Sequence, residues 1–237
     1  EAVGALLGLD TRRPNAILAA EYLRAMQKQG SSMQPLAIVR EGEYHDAALC
    51  PLASATAVRK AMREGGSVRE AVPVEVWDLL ESAPLSSPLN DLGLYLLRTT
   101  DLSRLVGAGE GLENRLKRAA QCEPTLAAVV EAVKCKRYTR ARIERLMAAA
   151  MLGMDGALAA RHPLPEYARL LGFRKQAQPL LAKMAQGAIP LVTRAAQLKG
   201  DETFALECRA TDLWGLSAKD PALRVAGRDF TRRLIIL

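Results

Sequence analysis

The chain is 237 residues long, 49% apolar, 4% aromatic and 25% charged, and its 33 Lys and Arg against 26 Asp and Glu give a net charge of +7. That length can bury one large core or two smaller ones, and two domains are expected. Ala and Leu dominate the apolar fraction, which favours packed helices. No apolar run approaches the roughly 20 residues of a membrane-spanning helix, and the first residues show no basic, apolar and small-residue pattern of a signal peptide, so the expected setting is the cytoplasm.

Taken from the start, residues 1–9 have a helical pattern. After Pro14 and Asn15, the apolar residues Ile17, Leu18, Tyr22, Leu23 and Met26 recur at helical spacing until Gly30 stops them. Residues 35–40 form a short apolar run bounded by Pro and Gly, which predicts a buried strand, and residues 41–46 a polar loop. Ser54 then opens a helix that Gly65-Gly66 ends. An order of helix, strand, loop and helix fits the end of an α/β nucleotide-binding domain, with a hinge over residues 65–73.

Beyond residue 73 the pattern predicts helices over 74–81, 89–99, 112–120, 125–133, 139–152, 166–171 and 178–186, and no strand. Prolines punctuate these segments, several where a first-turn proline would open a helix. Residues 204–237 end in Arg232-Arg233 and Leu234-Ile235-Ile236-Leu237; whether they form strand or helix stays open, and docking of the terminus into the core is expected. The fold class that follows is α/β, the C-terminal part of a Rossmann-like nucleotidyltransferase domain, followed by an all-α domain and mostly helical overall. The boundary separates residues 1–66 from 67–237.

The four cysteines, Cys50, Cys122, Cys135 and Cys208, form no C-x-x-C pair, and the histidines are only His45 and His162. No metal site is expected from them. Asn15, at a helix start, can cap that helix or hydrogen-bond an adenine or ribose. Arg40 ends the predicted strand, where a parallel sheet receives ligands, or is an ordinary surface arginine. Ser54, Thr56 and Arg59 bring hydroxyls and a cation to a helix N-terminus, a phosphate-binding arrangement whose bland counterpart is a Ser-capped basic helix. The densest cationic stretch holds Lys134, Lys136, Arg137, Arg140, Arg142 and Arg145 around Tyr138, with a smaller cluster at Arg115, Lys117 and Arg118. It is either a solvated helix face or a phosphate-contacting one.

These pieces occur in one order. The run Pro14-Asn15-x-Ile17-Leu18-x-x-Glu21-Tyr22-Leu23, then Ile38-x-Arg40, Tyr44-His45-Asp46 and Ser54-Ala55-Thr56-Ala57-Val58-Arg59-Lys60, resembles the tRNA(Met) cytidine acetate ligase family. So do Glu110-Gly111-Leu112-Glu113-Asn114-Arg115-Leu116 and Lys136-Arg137-Tyr138-Thr139-x-Ala141-Arg142-Ile143-x-Arg145-Leu146, with weaker matches at Leu170-Leu171-Gly172-Phe173 and Arg209-Ala210-Thr211-Asp212-Leu213.

The resemblance implies a nucleotidyltransferase-like enzyme in which ATP, with Mg2+, activates acetate as acetyl-adenylate, and the acetyl group then passes to the wobble cytidine of elongator tRNA(Met). It implies ATP contacts from Asn15, Arg40, Thr56 and Arg59, tRNA contacts from the cationic stretch, and neither DNA nor a membrane as partner. The family begins with a Gly-rich strand-loop and a G-H motif, and no such sequence occurs here; a chain opening on glutamate is therefore expected to be a portion of a longer enzyme. Two other readings are a non-catalytic RNA-binding helical module and a different nucleotidyltransferase.

Overall fold

The computed structural model describes residues 14–38, 49, 53–81, 89–218 and 220–237, and the chain divides into two units, Glu1–Glu81 and Ser82–Leu237. In the first unit, helix α1 (Pro14–Lys28) begins on a proline, whose missing N–H costs nothing at a first helical position. It ends where Ser31 N–H returns to the Met26 carbonyl at 2.9 Å over Gly30, whose φ of 58° suits glycine. The periodicity predicted this helix, although Ile17, Leu18, Tyr22 and Leu23 all stay exposed.

Helix α2 (Ala55–Arg63) begins as expected at Ser54, whose Oγ accepts from Ala57 N–H at 3.1 Å. Its inner face buries Ala57 and Ala61. A turn at residues 69–71 leads to the short helix α3 (Trp77–Glu81). There the Trp77 indole N–H donates to the Arg69 carbonyl at 3.0 Å and the Val72 carbonyl at 3.3 Å.

One expectation in this unit is corrected. Residues 35–38 carry no strand, and Leu36 and Ile38 are 87% and 86% exposed. A short apolar run specifies a strand only where a sheet edge receives it, and none of the described residues offers one here. The expected helix at residues 1–9, the end of the expected strand at 39–40 and the expected loop at 41–46 lie outside the described residues.

The second unit is built on four helices, α4 (Asn90–Thr99), α5 (Leu112–Cys122), α6 (Leu126–Val133) and α7 (Arg140–Leu152), each within two residues of its predicted span. Thr125 and Thr139 cap α6 and α7 with their hydroxyls, and Gly153, at φ 64°, ends α7. Their inner faces place Leu97, Leu112, Leu116, Val129, Val133, Ile143 and Leu146 in one core with essentially no exposure. Burying each such side chain contributes roughly 1.5–3 kcal/mol. Asn90 links two of these helices: its Oδ1 accepts from Leu126 N–H at 2.8 Å and its Nδ2 donates to the Pro124 carbonyl at 3.4 Å.

After α8 (Gly156–Arg161), strands enter where none was expected: β1 (Ala168–Arg169), β2 (Gly172–Phe173), β3 (Leu191–Val192) and β4 (Ile235–Ile236). β1 pairs parallel with β3, Ala168 opposite Leu191, and β2 pairs parallel with β4, Gly172 opposite Ile235. The helix expected over 166–171 is thus a strand, and the second unit is mostly rather than wholly helical. Between these strands lie α9 (Gln178–Met184), α10 (Glu202–Ser217) and α11 (Arg228–Thr231). The open question over 204–237 therefore resolves as two helices and a terminal strand. That terminus pairs at a strand edge instead of filling the core, with Ile235, Ile236 and Leu237 each more than half exposed. No helix among the described residues is long and apolar enough to cross a membrane.

Candidate functional site

Of the residues expected to meet a nucleotide, Asn15 sits exposed in the first turn of α1. Thr56 and Arg59, three apart on α2, are exposed on the face opposite buried Ala57 and Ala61. The two alanines anchor the helix while a hydroxyl and a guanidinium stand outward near its N-terminus, where unpaired backbone N–H groups favour an anion. Arg40, Tyr44, His45 and Asp46 lie outside the described residues.

The cationic stretch straddles the turn between α6 and α7, and here the structure sorts residues that the sequence lumps together. Arg142 donates to Glu110 Oε2 at 2.8 Å, and Arg137 reaches the same oxygen at 3.7 Å. Both guanidiniums lie over the Tyr138 ring, 5.5 and 5.6 Å from its centroid. Tyr138 is buried, and its hydroxyl donates to the Glu110 carbonyl at 2.5 Å. The Arg142 hydrogen bond and charge, followed by Arg137, hold the Glu110 carboxyl below the usual glutamate range. Arg140 is ion-paired to Glu131 and, at 3.2 Å, to Glu144, while Lys134 lies 3.9 Å from Glu131.

Lys136 and Arg145 differ: both are exposed, and among the described residues neither has a carboxylate within ion-pair distance. Arg145 turns its Nε back onto the Ala141 carbonyl at 3.1 Å. Counting charges along the sequence finds the stretch but misses Glu110, Glu131 and Glu144, the carboxylates that pair with its cations. Glu131 and Glu144 could have been found by their spacing to Lys134 and Arg140 on consecutive helical turns.

A second polar cluster, which the sequence reading passed over, lies in the C-terminal third. Arg169, on β1, pairs with Asp229 of α11 and, at 3.2 Å, with Glu207 of α10. The Tyr167 hydroxyl donates to Glu207 at 2.7 Å. Burial first, then Glu207, pushes that phenol up to about 12. Asp229 is only 7% exposed. Burial by itself would raise its pKa, yet the Thr211 hydroxyl and the Arg169 guanidinium hold it below the usual range. Two clefts adjoin α11, one of about 580 Å³ lined by Thr211, Trp214, Arg228, Asp229 and Arg232 among others, and one of about 440 Å³ in which Arg169, Arg194, Asp229, Arg232 and Arg233 take part. No short sequence motif announces this cluster, because its members come from three separate elements.

The first unit thus carries a Ser-capped basic helix, and the second a helical bundle with a cation-rich turn. Residues 3–228 match the HIGH nucleotidyl transferase family, and the chain belongs to that family.

More particularly, the chain is 30% identical over 240 residues to the tRNA(Met) cytidine acetate ligase of Thermoanaerobacter sp. (strain X514), covering 94% of this chain and 59% of that protein. It is 36% identical over 200 residues to the ligase of the same name from Levilactobacillus brevis, covering 79% of this chain and 52% of that one. The crystal structure of apo Thermotoga maritima TmcAL superposes with a TM-score of 0.86 at 25% identity, over 100% of this chain and 64% of that one. A second crystal form of that protein, bound with alpha-thio ATP, gives a TM-score of 0.84 at 24% identity, again over 100% and 64%. The chain thus spans a little under 60% of the first of these curated relatives.

Proposed function

We propose that this chain is the portion of a tRNA(Met) cytidine acetate ligase that carries part of the ATP site and the tRNA-facing helices, and that the enzyme works in the cytoplasm. The observation that carries the reading is the match to ligases of that name along 94% of the chain. In the division of labour proposed, residues 1–66 contribute to the ATP-binding domain and residues 67–237 form the helical tRNA-binding part.

The reaction would run in two displacements. An acetate oxygen attacks the α-phosphorus of ATP, the bond to the β-phosphate oxygen breaks, and pyrophosphate leaves. The N4 amine of the wobble cytidine then attacks the acetyl carbonyl, AMP departs, and N4 loses a proton. Bringing acetate against a triphosphate joins two anions, so charge neutralisation and alignment are what a site must supply. Arg40 and Arg59 provide cations for that task, Thr56 a hydroxyl for a phosphate oxygen, and Asn15 hydrogen bonds to the nucleoside. Magnesium would ride on the triphosphate: among the described residues no three carboxylate, imidazole or thiol groups gather to hold it, and no step is assigned to it.

For the tRNA, an anticodon loop is single-stranded, so its wobble base can turn outward without melting a duplex. Lys134, Lys136, Arg137, Arg140, Arg142 and Arg145 would contact its phosphates. Acetate-dependent exchange of pyrophosphate into ATP, together with N4-acetylcytidine in digested elongator tRNA(Met), tests the whole. Both are expected from the encoded protein and both should fall at least tenfold in Asn15→Ala and Arg40→Ala. Tight RNA binding without exchange or acetylation would leave a binding module instead.

A further inference from the structure

The 440 Å³ cleft opens where the chain leaves the parallel strands β1 and β3. Leu170 and Leu171 follow β1, Thr193 and Arg194 follow β3, and all four line it. Parallel strands receive ligands at that end, outside their carboxyl termini. Arg232 and Arg233, between α11 and β4, add to the lining.

The charges in this cleft do not balance. Among the described residues four arginines and one carboxylate line it. The carboxylate, Asp229, is paired with Arg169, which Glu207 also engages. Arg194, Arg232 and Arg233 are exposed, and among the described residues none has a carboxylate within ion-pair distance, although the Arg232 charge reaches Asp229. Three like charges around one concavity repel one another, and apolar walls such as Leu171 and Leu234 strengthen their field. An anion entering from solvent relieves that repulsion.

The backbone that carries these guanidiniums is held in place. Gln197 Oε1 accepts from Thr193 N–H at 3.1 Å and from Arg194 N–H at 2.9 Å. On the other flank, Arg232 N–H donates to the Arg228 carbonyl at 2.9 Å and Ile235 N–H to the Leu171 carbonyl at 3.2 Å. Less ordering is then needed when a ligand binds. The uncommitted guanidiniums only donate, which suits phosphate oxygens.

We propose that this cleft binds the RNA backbone, with Arg194, Arg232 and Arg233 holding phosphodiester groups irrespective of sequence. The inference rests on the reading that the protein acts on tRNA. It adds a phosphate-binding site in the C-terminal third, apart from the cationic stretch around Tyr138.

The test is filter binding of the 237-residue chain to an elongator tRNA(Met) transcript, to oligouridylate and to oligocytidylate, each across a salt series. Arg232→Gln with Arg233→Gln should lower the slope of log K against log salt by about 1.4–1.8 and weaken binding at 0.1 M salt by at least about tenfold. Arg194→Gln should take off a further 0.7–0.9 or about that. The two oligonucleotides should lose affinity alike. Arg224→Gln is the control, an exposed arginine of the same unit that lines neither cleft, and it should change the slope far less. The side chains replaced are exposed, so melting temperatures should stay near the parent's. A control that acts as strongly as the cleft variants would overturn the proposal. So would release of the RNA by hexaglutamate at equal charge, which would mark a site for an acidic protein segment, or micromolar binding of inorganic phosphate with the RNA slope untouched, which would mark a free-anion pocket. RNA binding whose slope all the cleft variants leave unchanged overturns this site and leaves the acetylation reading standing. No RNA binding by the unmodified chain removes this site together with the tRNA-facing role proposed for the chain.

Discussion

Tyr138 shows how a single side chain sets the geometry of the cationic surface. Its ring is buried beneath two guanidiniums, and its hydroxyl holds the carbonyl of Glu110, a non-glycine residue at φ 57°. Removing only the hydroxyl strands that carbonyl while leaving the ring in place. Tyr138→Phe should therefore cost about 1 kcal/mol in urea denaturation. A loss close to zero would mean that water replaces the hydroxyl without penalty.

His162 carries a second residue-scale expectation. Its Nδ1 lies 2.8 Å from Glu166 and its Nε2 3.6 Å from Glu202, which Arg161 also engages at 2.7 Å. The hydrogen bond to Glu166 is the main cause of a pKa raised above the ordinary histidine value, with Glu202 adding to it. A raised folded-state value means that protonated His162 stabilises the fold. That contribution is complete below the unfolded value near about pH 6.5 and is lost as pH rises through the folded value. The melting temperature should accordingly decline as pH rises above about 6.5, and His162→Gln should flatten that part of the profile. Parallel profiles for the two proteins would rule this out.

Among the helices, α10 offers the sharpest packing expectation. Gly215 is buried in its last turns, and a methyl group placed there would come within 2.8 Å of the Leu223 carbonyl oxygen. On helix propensity alone Gly→Ala gains up to about 1 kcal/mol. Against a backbone carbonyl that cannot swing aside, overpacking dominates, and Gly215→Ala should lose roughly 1–3 kcal/mol. A variant that melts higher than the parent would show that the turn at residues 221–224 yields.

The same comparison of local and distant causes explains what could be read from the sequence. Helices α5, α6 and α7 were legible because their signals are local: Thr125 and Thr139 cap them, Gly153 ends one of them, and the apolar period runs between. Strands β1 to β4 were not, because a two-residue strand has no period, and each is decided by a partner far along the chain, as when Phe173 pairs with Ile236. Residues 35–38 failed in the opposite way, having a strand's composition but no pairing partner among the described residues. Charge was legible as density and illegible as pairing, since Glu110 meets Arg142 from 32 residues away.

At the scale of the whole molecule, a net charge of +7 matters only through cations left uncommitted on the surface. Arg140 and Arg142 are largely neutralised by Glu131, Glu144 and Glu110, whereas Lys136 and Arg145 face solvent. If the proposed RNA contact is correct, affinity should depend steeply on salt, and each phosphate-contacting cation removed should lower the slope of log K against log salt by about 0.7–0.9. Lys136→Ala with Arg145→Ala should thus take about 1.4–1.8 off that slope for tRNA(Met) in filter binding. Glu131→Gln acts in the opposite direction, because it frees Lys134 and leaves Arg140 paired with Glu144 alone, without disturbing the core, and it should tighten binding at low salt. Both effects should fade as added salt shortens the Debye length from about 10 Å at 0.1 M toward about 3 Å at 1 M. Slopes unchanged in all these variants would place the RNA on another face and leave the cationic stretch as a solvated helix surface.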